Sequence, residues 1–316
     1  MSFKVVITDC TMADAGIETE VLRAIGAEVL RYACKTPDEV VAAARDAHAL
    51  MVQWAPITAD VIRQLEHCQI VSRYGIGLDM IDLEAAREKG IRVVANTDYC
   101  IQEVAEHALA FVLACARKLP TATSAVRHGN WNKKAVLGSL SPLSRQTLGI
   151  VGLGRIGRRV AQMASPLVDR ILAFDPFVSS TEGLPGNTEL TTLDELVSHA
   201  DFLTLHCPLS ASTRHLFDAG RLRSMKRNAW LINVSRGGLI DEDALVDALR
   251  QGLIGGAALD VFTREPAPPD HPLLQFENVL ATPHSAWYSD QAYRLLQENT
   301  ARAVVDHFRQ TSQCPE

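Results

Sequence analysis

One segment limits the possible folds of this chain more than any other. Val151-Gly152-Leu153-Gly154-Arg155-Ile156-Gly157 follows an apolar, β-type run, Thr147-Leu148-Gly149-Ile150, and leads into a helix-like pattern. Asp175 stands 18 residues past the last glycine, at the end of a second apolar run, Ile171-Leu172-Ala173-Phe174. This is the layout of a dinucleotide-binding βαβ unit. Each glycine has its own task there: a tight turn, close approach of a pyrophosphate, and close packing of helix on strand. The helix N-terminus adds unpaired N–H groups and a positive dipole end. Gly152, Gly154, Arg155, Ile156 and Gly157 are therefore predicted to cradle the phosphates, with Arg155 and Arg158 adding positive charge. Asp175 is predicted to accept hydrogen bonds from the adenosine ribose. Its carboxylate repels a 2′-phosphate, and Pro176 and Phe177 bring no arginine, so NAD is expected over NADP. The plainer alternatives are an ordinary strand–turn–helix for the glycines and a turn residue before proline for Asp175.

The fingerprint lies mid-chain, and 316 residues leave room for another domain ahead of it. That region alternates strand and helix patterns. Its strand candidates are Lys4–Asp9, Ala27–Tyr32, Ala49–Trp54, Ile70–Tyr74 and Arg92–Ala95; its helix candidates are Ile17–Ile25, Pro37–Ala47, Thr58–Leu65 and Leu83–Lys89. Thr36-Pro37-Asp38-Glu39 and Thr58-Ala59-Asp60 read as helix starts, Gly26 and Gly90 as helix stops. A long helix, about Ile101 to Lys118 and closed by Pro120, precedes an irregular connection from Gly129 to Arg145. Six strands follow: Leu148–Val151, Arg170–Phe174, Phe202–His206, Ala229–Val234, Gly256–Val261 and Val279–Ala281. Helices begin between them near Arg155, Leu193, Asp218 and Asp241, and a final helix runs from Ser289 to Gln310. Such alternation implies parallel sheets with right-handed crossovers. The last helix packs most simply back on the first region. The expected fold class is α/β with two doubly wound parallel-sheet domains: a Rossmann cofactor domain, residues 99–285, inserted in a discontinuous flavodoxin-like domain, residues 1–98 plus 286–316.

Composition excludes several other classes. A net charge of −6 offers no basic surplus for general nucleic-acid binding. The start, Met1-Ser2-Phe3-Lys4-Val5-Val6-Ile7, lacks the features of a signal peptide, and the apolar run Ala108–Ala116 is too short to span a bilayer. Seven scattered cysteines (Cys10, Cys34, Cys68, Cys100, Cys115, Cys207, Cys314) contain no Cys-x-x-Cys pair. They fit a reduced, cytoplasmic protein with no metal site.

Four further signatures follow the fingerprint in order. They are His206-Cys207-Pro208-Leu209, Asn233-Val234-Ser235-Arg236-Gly237-Gly238, Leu259-Asp260-Val261-Phe262-Thr263-Arg264-Glu265-Pro266 and Thr282-Pro283-His284. Together, over almost the whole chain, they closely resemble the D-isomer-specific 2-hydroxyacid dehydrogenases. Within that family the chain is most similar to the branch of the C-terminal binding proteins, NAD-binding transcriptional corepressors. Phe174-Asp175-Pro176-Phe177 and His284-Ser285-Ala286-Trp287-Tyr288-Ser289 carry that likeness.

The resemblance implies a catalytic trio of Arg236, Glu265 and His284, and chemistry suits each role. Reducing a 2-oxo acid needs a proton for the carbonyl oxygen, and a histidine supplies it near neutral pH. A carboxylate on the imidazole fixes its tautomer and favours its protonated form. An arginine fork holds a carboxylate and polarises the neighbouring carbonyl. Taken singly, each has a structural alternative: a solvated arginine after a strand, a loop acid before proline, a capped loop histidine. The resemblance also implies that Arg73-Tyr74-Gly75-Ile76-Gly77 faces the substrate, its glycines freeing N–H groups for a carboxylate that Arg73 pairs with. Asp260 would orient the nicotinamide, and His206, Pro208 and Val234 would adjoin it. Trp287 would wall the pocket and favour an apolar or thioether side chain. His107 reads as structural, and Ser235 has no nearby base to activate it.

The expected protein is thus an NAD-dependent reductase of 2-oxo acids to D-2-hydroxy acids, its substrate held in a cleft between the domains. The resemblance implies a homodimer formed largely through the cofactor domain, including the Ile101–Lys118 helix. Two other readings stay open. One is an NADH-sensing corepressor-like binding module, disfavoured because the chain is little more than two domains without a long tail. The other is a formate or phosphite oxidiser on the same scaffold.

Overall fold

The computed structural model describes residues 3–311; Met1, Ser2 and the last five residues, Cys314 among them, lie outside it. The chain divides into two compact units. One joins the chain up to Cys100 with the segment from Tyr288 onward, and the other is Ile101–Trp287.

The first unit opens with β1 (Lys4–Ile7), α1 (Gly16–Leu22), β2 (Glu28–Arg31), α2 (Pro37–Ala44) and β3 (Ala49–Val52). It continues through α3 (Ala59–Gln64), β4 (Ile70–Arg73), α4 (Leu83–Glu88) and β5 (Arg92–Ala95). The strands lie in the order β2-β1-β3-β4-β5, all parallel. This is the flavodoxin-like doubly wound order. The predicted starts are made as expected: Thr36 and Glu39 form a capping box, and the Thr58 hydroxyl accepts the Val61 N–H. Gly26 stops its helix with a left-handed φ of 61°. The helix before it is shorter than the pattern suggested, because Arg23–Ile25 tighten into a 3₁₀ turn. β3 and β4 are buried throughout, and Val6, Leu50, Val52, Ile57, Ile62 and Val71 pack into one core.

The second unit begins with α5 (Ile101–Ala116), α6 (Leu119–Arg127) and α7 (Lys133–Leu137). Then come β6 (Thr147–Val151), α8 (Arg155–Ala164), β7 (Arg170–Phe174), β8 (Thr188–Leu190), α9 (Leu193–His199) and β9 (Phe202–Leu205). It closes with α10 (Ala219–Ser224), β10 (Trp230–Asn233), α11 (Glu242–Arg250), β11 (Gly256–Leu259) and β12 (Val279–Ala281). The sheet order is β12-β11-β10-β9-β6-β7-β8, again all parallel. Its first six strands in chain order therefore give the Rossmann arrangement, with a seventh at the far edge. Leu203, Leu205, Phe217, Leu231, Leu245 and Leu259 are among its fully enclosed core side chains. Each such burial is worth about 1.5–3 kcal/mol. The last helix, α12 (Asp290–Gln310), returns to the first unit, capped by Ser289 and packed on α1 and β4.

Two expectations are corrected here. The cofactor sheet has seven strands rather than six: β8 (Thr-Glu-Leu) is too short to show an alternating pattern. Pro120 does not close the long helix. α5 stops at Ala116, Lys118 takes a left-handed turn (φ 48°), and Pro120 sits in the first turn of α6, where its fixed φ and missing N–H are tolerated. No single described helix is long and apolar enough to cross a membrane. α5 and α6 reach that length only as a pair bent by 58°.

Candidate functional site

The glycine loop joins β6 to α8. Gly152 turns the chain with a φ of 96°, and a Cβ there would come within 2.7 Å of the His206 carbonyl. A Cβ on Gly157 would overlap the Gly152 carbonyl oxygen, so this residue lets α8 lie against the loop. Gly154, the exposed N-cap of α8, differs: a Cβ there would meet nothing within 4 Å. Two of the glycines serve the chain's own packing, while the middle one borders open space. Arg155 beside it is exposed, Ile156 half-buried.

Asp175 follows β7. Its Oδ2 accepts the Leu153 N–H at 2.8 Å and its Oδ1 the Phe177 N–H at 2.9 Å. The carboxylate is thereby fixed to the glycine loop and keeps lone pairs for further donors. Arg158 does not point its charge at the loop's open side. Its Nε donates to the Leu153 carbonyl at 3.0 Å and braces the loop from behind. An open backbone turn at a helix N-terminus, with an acid fixed beside it, fits a dinucleotide's pyrophosphate and ribose.

The expected catalytic residues meet at the carboxyl ends of β10, β11 and β12. His284 Nδ1 lies 2.6 Å from Glu265 Oε2, and Glu265 Oε1 accepts the Phe262 N–H at 2.9 Å. Both side chains are partly open to solvent, at 21% and 31%. Burial alone would raise the Glu265 carboxyl. The His284 hydrogen bond and charge, the Phe262 N–H and the nearby Arg236 guanidinium outweigh it and hold the group below the ordinary carboxylate range. Arg236 leaves β10 on a turn built by Asn233, whose buried amide donates to the Arg236 carbonyl at 2.8 Å and accepts the Ser235 N–H at 3.0 Å. Gly237 brings the two loops together: a Cβ there would overlap the Phe262–Thr263 peptide. Glu242 then holds the Thr263 N–H at 2.7 Å. His284 itself has a left-handed φ of 52°, its N–H donating to the Asp260 carbonyl at 2.8 Å.

Asp260, 1% exposed, organises this corner. Its oxygens accept the Ser285 and Ala286 N–H groups at 2.9 Å each and the Thr282 hydroxyl. These contacts anchor the His284 segment. His107, on α5, supports it through Thr282 Oγ1 at 3.0 Å. His206 ends β9 with Nε2 3.0 Å from Thr204 Oγ1, and its shielded Nδ1 has no hydrogen-bond partner among the described residues. Burial pushes its pKa down to about 3, so it is neutral at physiological pH. Pro208 is exposed, Val234 buried and Trp287 half-buried. Ser235 Oγ is spent on the Leu205 carbonyl at 2.8 Å.

The Arg73–Gly77 loop belongs to the first unit. Arg73 is 4% exposed, and its guanidinium lies over the Trp54 ring, 5.3 Å from the centroid. A Cβ on Gly75 would overlap that guanidinium, and the residue's φ of 132° is open to glycine alone. Among the described residues the Ile76 and Gly77 N–H groups have no hydrogen-bond partner. Tyr74 departs from expectation. Its side chain turns inward, 2% exposed, and its hydroxyl donates to the buried Glu18 at 2.9 Å. Its N–H goes to Val52. The sequence assigns no role to Glu18 or Glu242, and shows Asn233 only as part of its signature; the Gly-Gly pair after Arg236 is the one local signal of a close backbone approach. Among the described residues no group of three or more His, Cys, Asp or Glu side chains is placed to hold a metal.

These features define a two-unit α/β protein with a dinucleotide cradle and an Arg–Glu–His cluster in the same unit. Residues 109–286 match the D-isomer specific 2-hydroxyacid dehydrogenase, NAD binding domain, and the chain belongs to that family. A D-3-phosphoglycerate dehydrogenase of Methanocaldococcus jannaschii is 40% identical over 293 residues, 92% of this chain but 55% of that protein. The chain spans about half the length of the curated relatives it matches. Among solved structures, D-lactate dehydrogenase of Aquifex aeolicus, complexed with NAD and lactic acid, is 27% identical with a TM-score of 0.87 (98% of this chain, 96% of that one). An acyclic imino acid reductase in complex with NADPH and D-Arg is 27% identical with a TM-score of 0.86 (99% and 98%).

Proposed function

We propose that this chain is an NAD-dependent oxidoreductase that interconverts a 2-oxo acid and its D-2-hydroxy acid. The observation that carries this reading is the 2.6 Å Glu265–His284 contact with Arg236 as the neighbouring charge, in the unit that matches the NAD binding domain. The residues assigned to NAD are Gly152, Gly154, Arg155, Ile156, Gly157 and Asp175, with His206, Pro208 and Val234 along its path. Bound there, the dinucleotide supplies the hydride.

The chain's own residues supply the rest. His284 donates Nδ1–H to Glu265, which directs the exchangeable proton to Nε2, the atom that serves the substrate oxygen. Glu265 holds the imidazole's tautomer, since its own carboxyl stays ionised and can only accept. Arg236 polarises the carbonyl and holds the adjacent carboxylate. In the first unit, assigned as the substrate domain, Arg73 and the Ile76 and Gly77 N–H groups are the proposed holders of a substrate carboxylate. Asp260 positions His284 by anchoring residues 284–286, and Trp287 contacts the substrate side chain.

We assign the chain to enzymes rather than corepressor-like modules because the similar proteins carry dehydrogenase and reductase names. The likeness to the C-terminal binding protein branch then concerns only Arg73 and the segments around Asp175 and Trp287. A homodimer is also proposed. α6 and α7 contain no buried residue, while Leu119, Val126 and Trp131 are 53%, 52% and 83% exposed, an apolar surface suited to a second copy.

The test is NADH oxidation with a panel of 2-oxo acids, beside NADH titration. His284→Ala should cut kcat about 10²- to 10⁴-fold, the range of general acid catalysis, and shift NADH affinity far less. Tight NADH binding with no turnover on any acid would refute the enzyme reading. Unchanged turnover would remove His284 from the chemistry.

A further inference from the structure

Trp54 stands at the carboxyl end of β3 with 45% of its surface exposed, yet it is firmly held. Its N–H donates to Asp9 Oδ2 at 2.6 Å. Asp9, itself 9% exposed, also takes the Gln53 N–H at 3.1 Å and the Thr8 hydroxyl at 2.8 Å. Gln53 turns its amide away, accepting the Thr11 N–H at 2.7 Å and donating to the Thr11 hydroxyl at 3.2 Å. The Arg73 guanidinium caps the indole, and Ile76, 37% exposed, follows in the Arg73 loop.

We infer that Trp54 is a specificity-determining residue, and that the site takes 2-oxo monocarboxylates with an apolar, flat side chain in preference to phosphorylated acids. This rests on the reading above, in which Arg73 and the Ile76 and Gly77 amides receive the substrate carboxylate. A carbon chain extending from that carboxylate meets an indole and an isoleucine. An apolar chain gains by leaving water against them. A phosphate needs cations or several N–H donors instead.

The charges around Trp54 point the same way. Asp9 lies directly behind the Trp54 amide, and the buried Glu18 is bonded to Tyr74 and, at 3.0 Å, to Gln297. Arg31, at the end of β2, spends its guanidinium on the carbonyls of Cys10, Met12 and Ala13. The Trp54 and Tyr74 segments on either side of Arg73 in the fold are thus each bonded to a carboxylate, which adds negative charge to this end of the sheet. A phosphorylated acid would bring about two more negative charges.

The experiment compares kcat/KM for phenylpyruvate, 2-oxo-4-methylpentanoate, glyoxylate and 3-phosphohydroxypyruvate in the wild type, Trp54→Ala and Trp54→Phe. Far-UV spectra and thermal midpoints confirm folding. The wild type should favour phenylpyruvate over 3-phosphohydroxypyruvate by at least about 10-fold, within the range one apolar contact surface supplies. Trp54→Ala should lower the phenylpyruvate-to-glyoxylate ratio about 10-fold, and Trp54→Phe should restore most of it. A wild-type preference for 3-phosphohydroxypyruvate overturns the inference. So does an equal loss on every acid in Trp54→Ala, which would make the indole only a prop for Arg73. Turnover without discrimination sinks this inference alone; no turnover of any acid sinks the proposed function with it.

Discussion

Replacing Gly154 with alanine separates ligand space from folding space. An added Cβ would meet no atom of the chain within 4 Å, and the backbone φ of −66° suits alanine. The structural cost is then the weaker N-cap preference of alanine, about 0.5–1 kcal/mol. For a domain of this size that lowers the thermal midpoint by about 1–4 °C. If the open side of Gly154 seats a pyrophosphate, the methyl group lengthens one or two charge-assisted contacts, a loss of about 1.5–3 kcal/mol. NADH affinity should fall about 10- to 150-fold. Gly157→Ala should show the opposite balance. Its Cβ overlaps the Gly152 carbonyl, so α8 must shift at a cost of about 1–3 kcal/mol or more, and stability falls first. Fluorescence titration with NADH, paired with thermal unfolding of both variants, reads the two effects independently. Wild-type NADH affinity in Gly154→Ala would show that the open space does not hold the phosphates.

Glu265 is ionised below the ordinary carboxylate range, so the stability it adds is present at neutral pH and is lost as pH falls through its lowered pKa. The thermal midpoint of Glu265→Gln should therefore lie below wild type at pH 7 and converge with it in acid; a constant gap would contradict the linkage. His206, with a pKa of about 3, should keep a neutral-imidazole NMR signature down to about pH 4. Its titration near pH 6.5 would show that burial does not govern it. Trp131→Asp combined with Val126→Asp should yield a monomer by light scattering, while an unchanged dimer would move the contact away from α6 and Trp131.

The elements that sequence revealed best are those whose signals are local. The caps at Thr36 and Thr58, the stop at Gly26 and the strand–glycine–helix unit depend on neighbours within a few residues, and the structure forms each of them. β8 escaped because three residues, Thr188–Leu190, carry no usable period. α6 and α7 escaped because both are short, at nine and five residues, and α6 opens at the proline that reads as a stop. Pro120 misled because proline stops one helix and starts another with equal ease. Within the candidate site, the motifs identified Arg236, Glu265 and His284, but not what holds them. The inward turn of Tyr74 depends on Glu18 from a distant helix, and the setting of Arg236 depends on Gly237 fitting against Phe262. Such pairings are made by the fold, so they leave no trace in local spacing.

Asp9, Asp175 and Asp260 share one arrangement: each follows a strand and takes backbone N–H groups from a loop on a neighbouring strand or, for Asp175, from the glycine turn and its own. Because these acids grip main chain rather than side chain, the residues at the loop tips can be exchanged while the loops keep their shape. A scaffold built this way lets side chains at positions such as 54 or 287 change one at a time without the loops losing their course. The aspartates themselves have little such freedom, since losing one would release a whole loop at once.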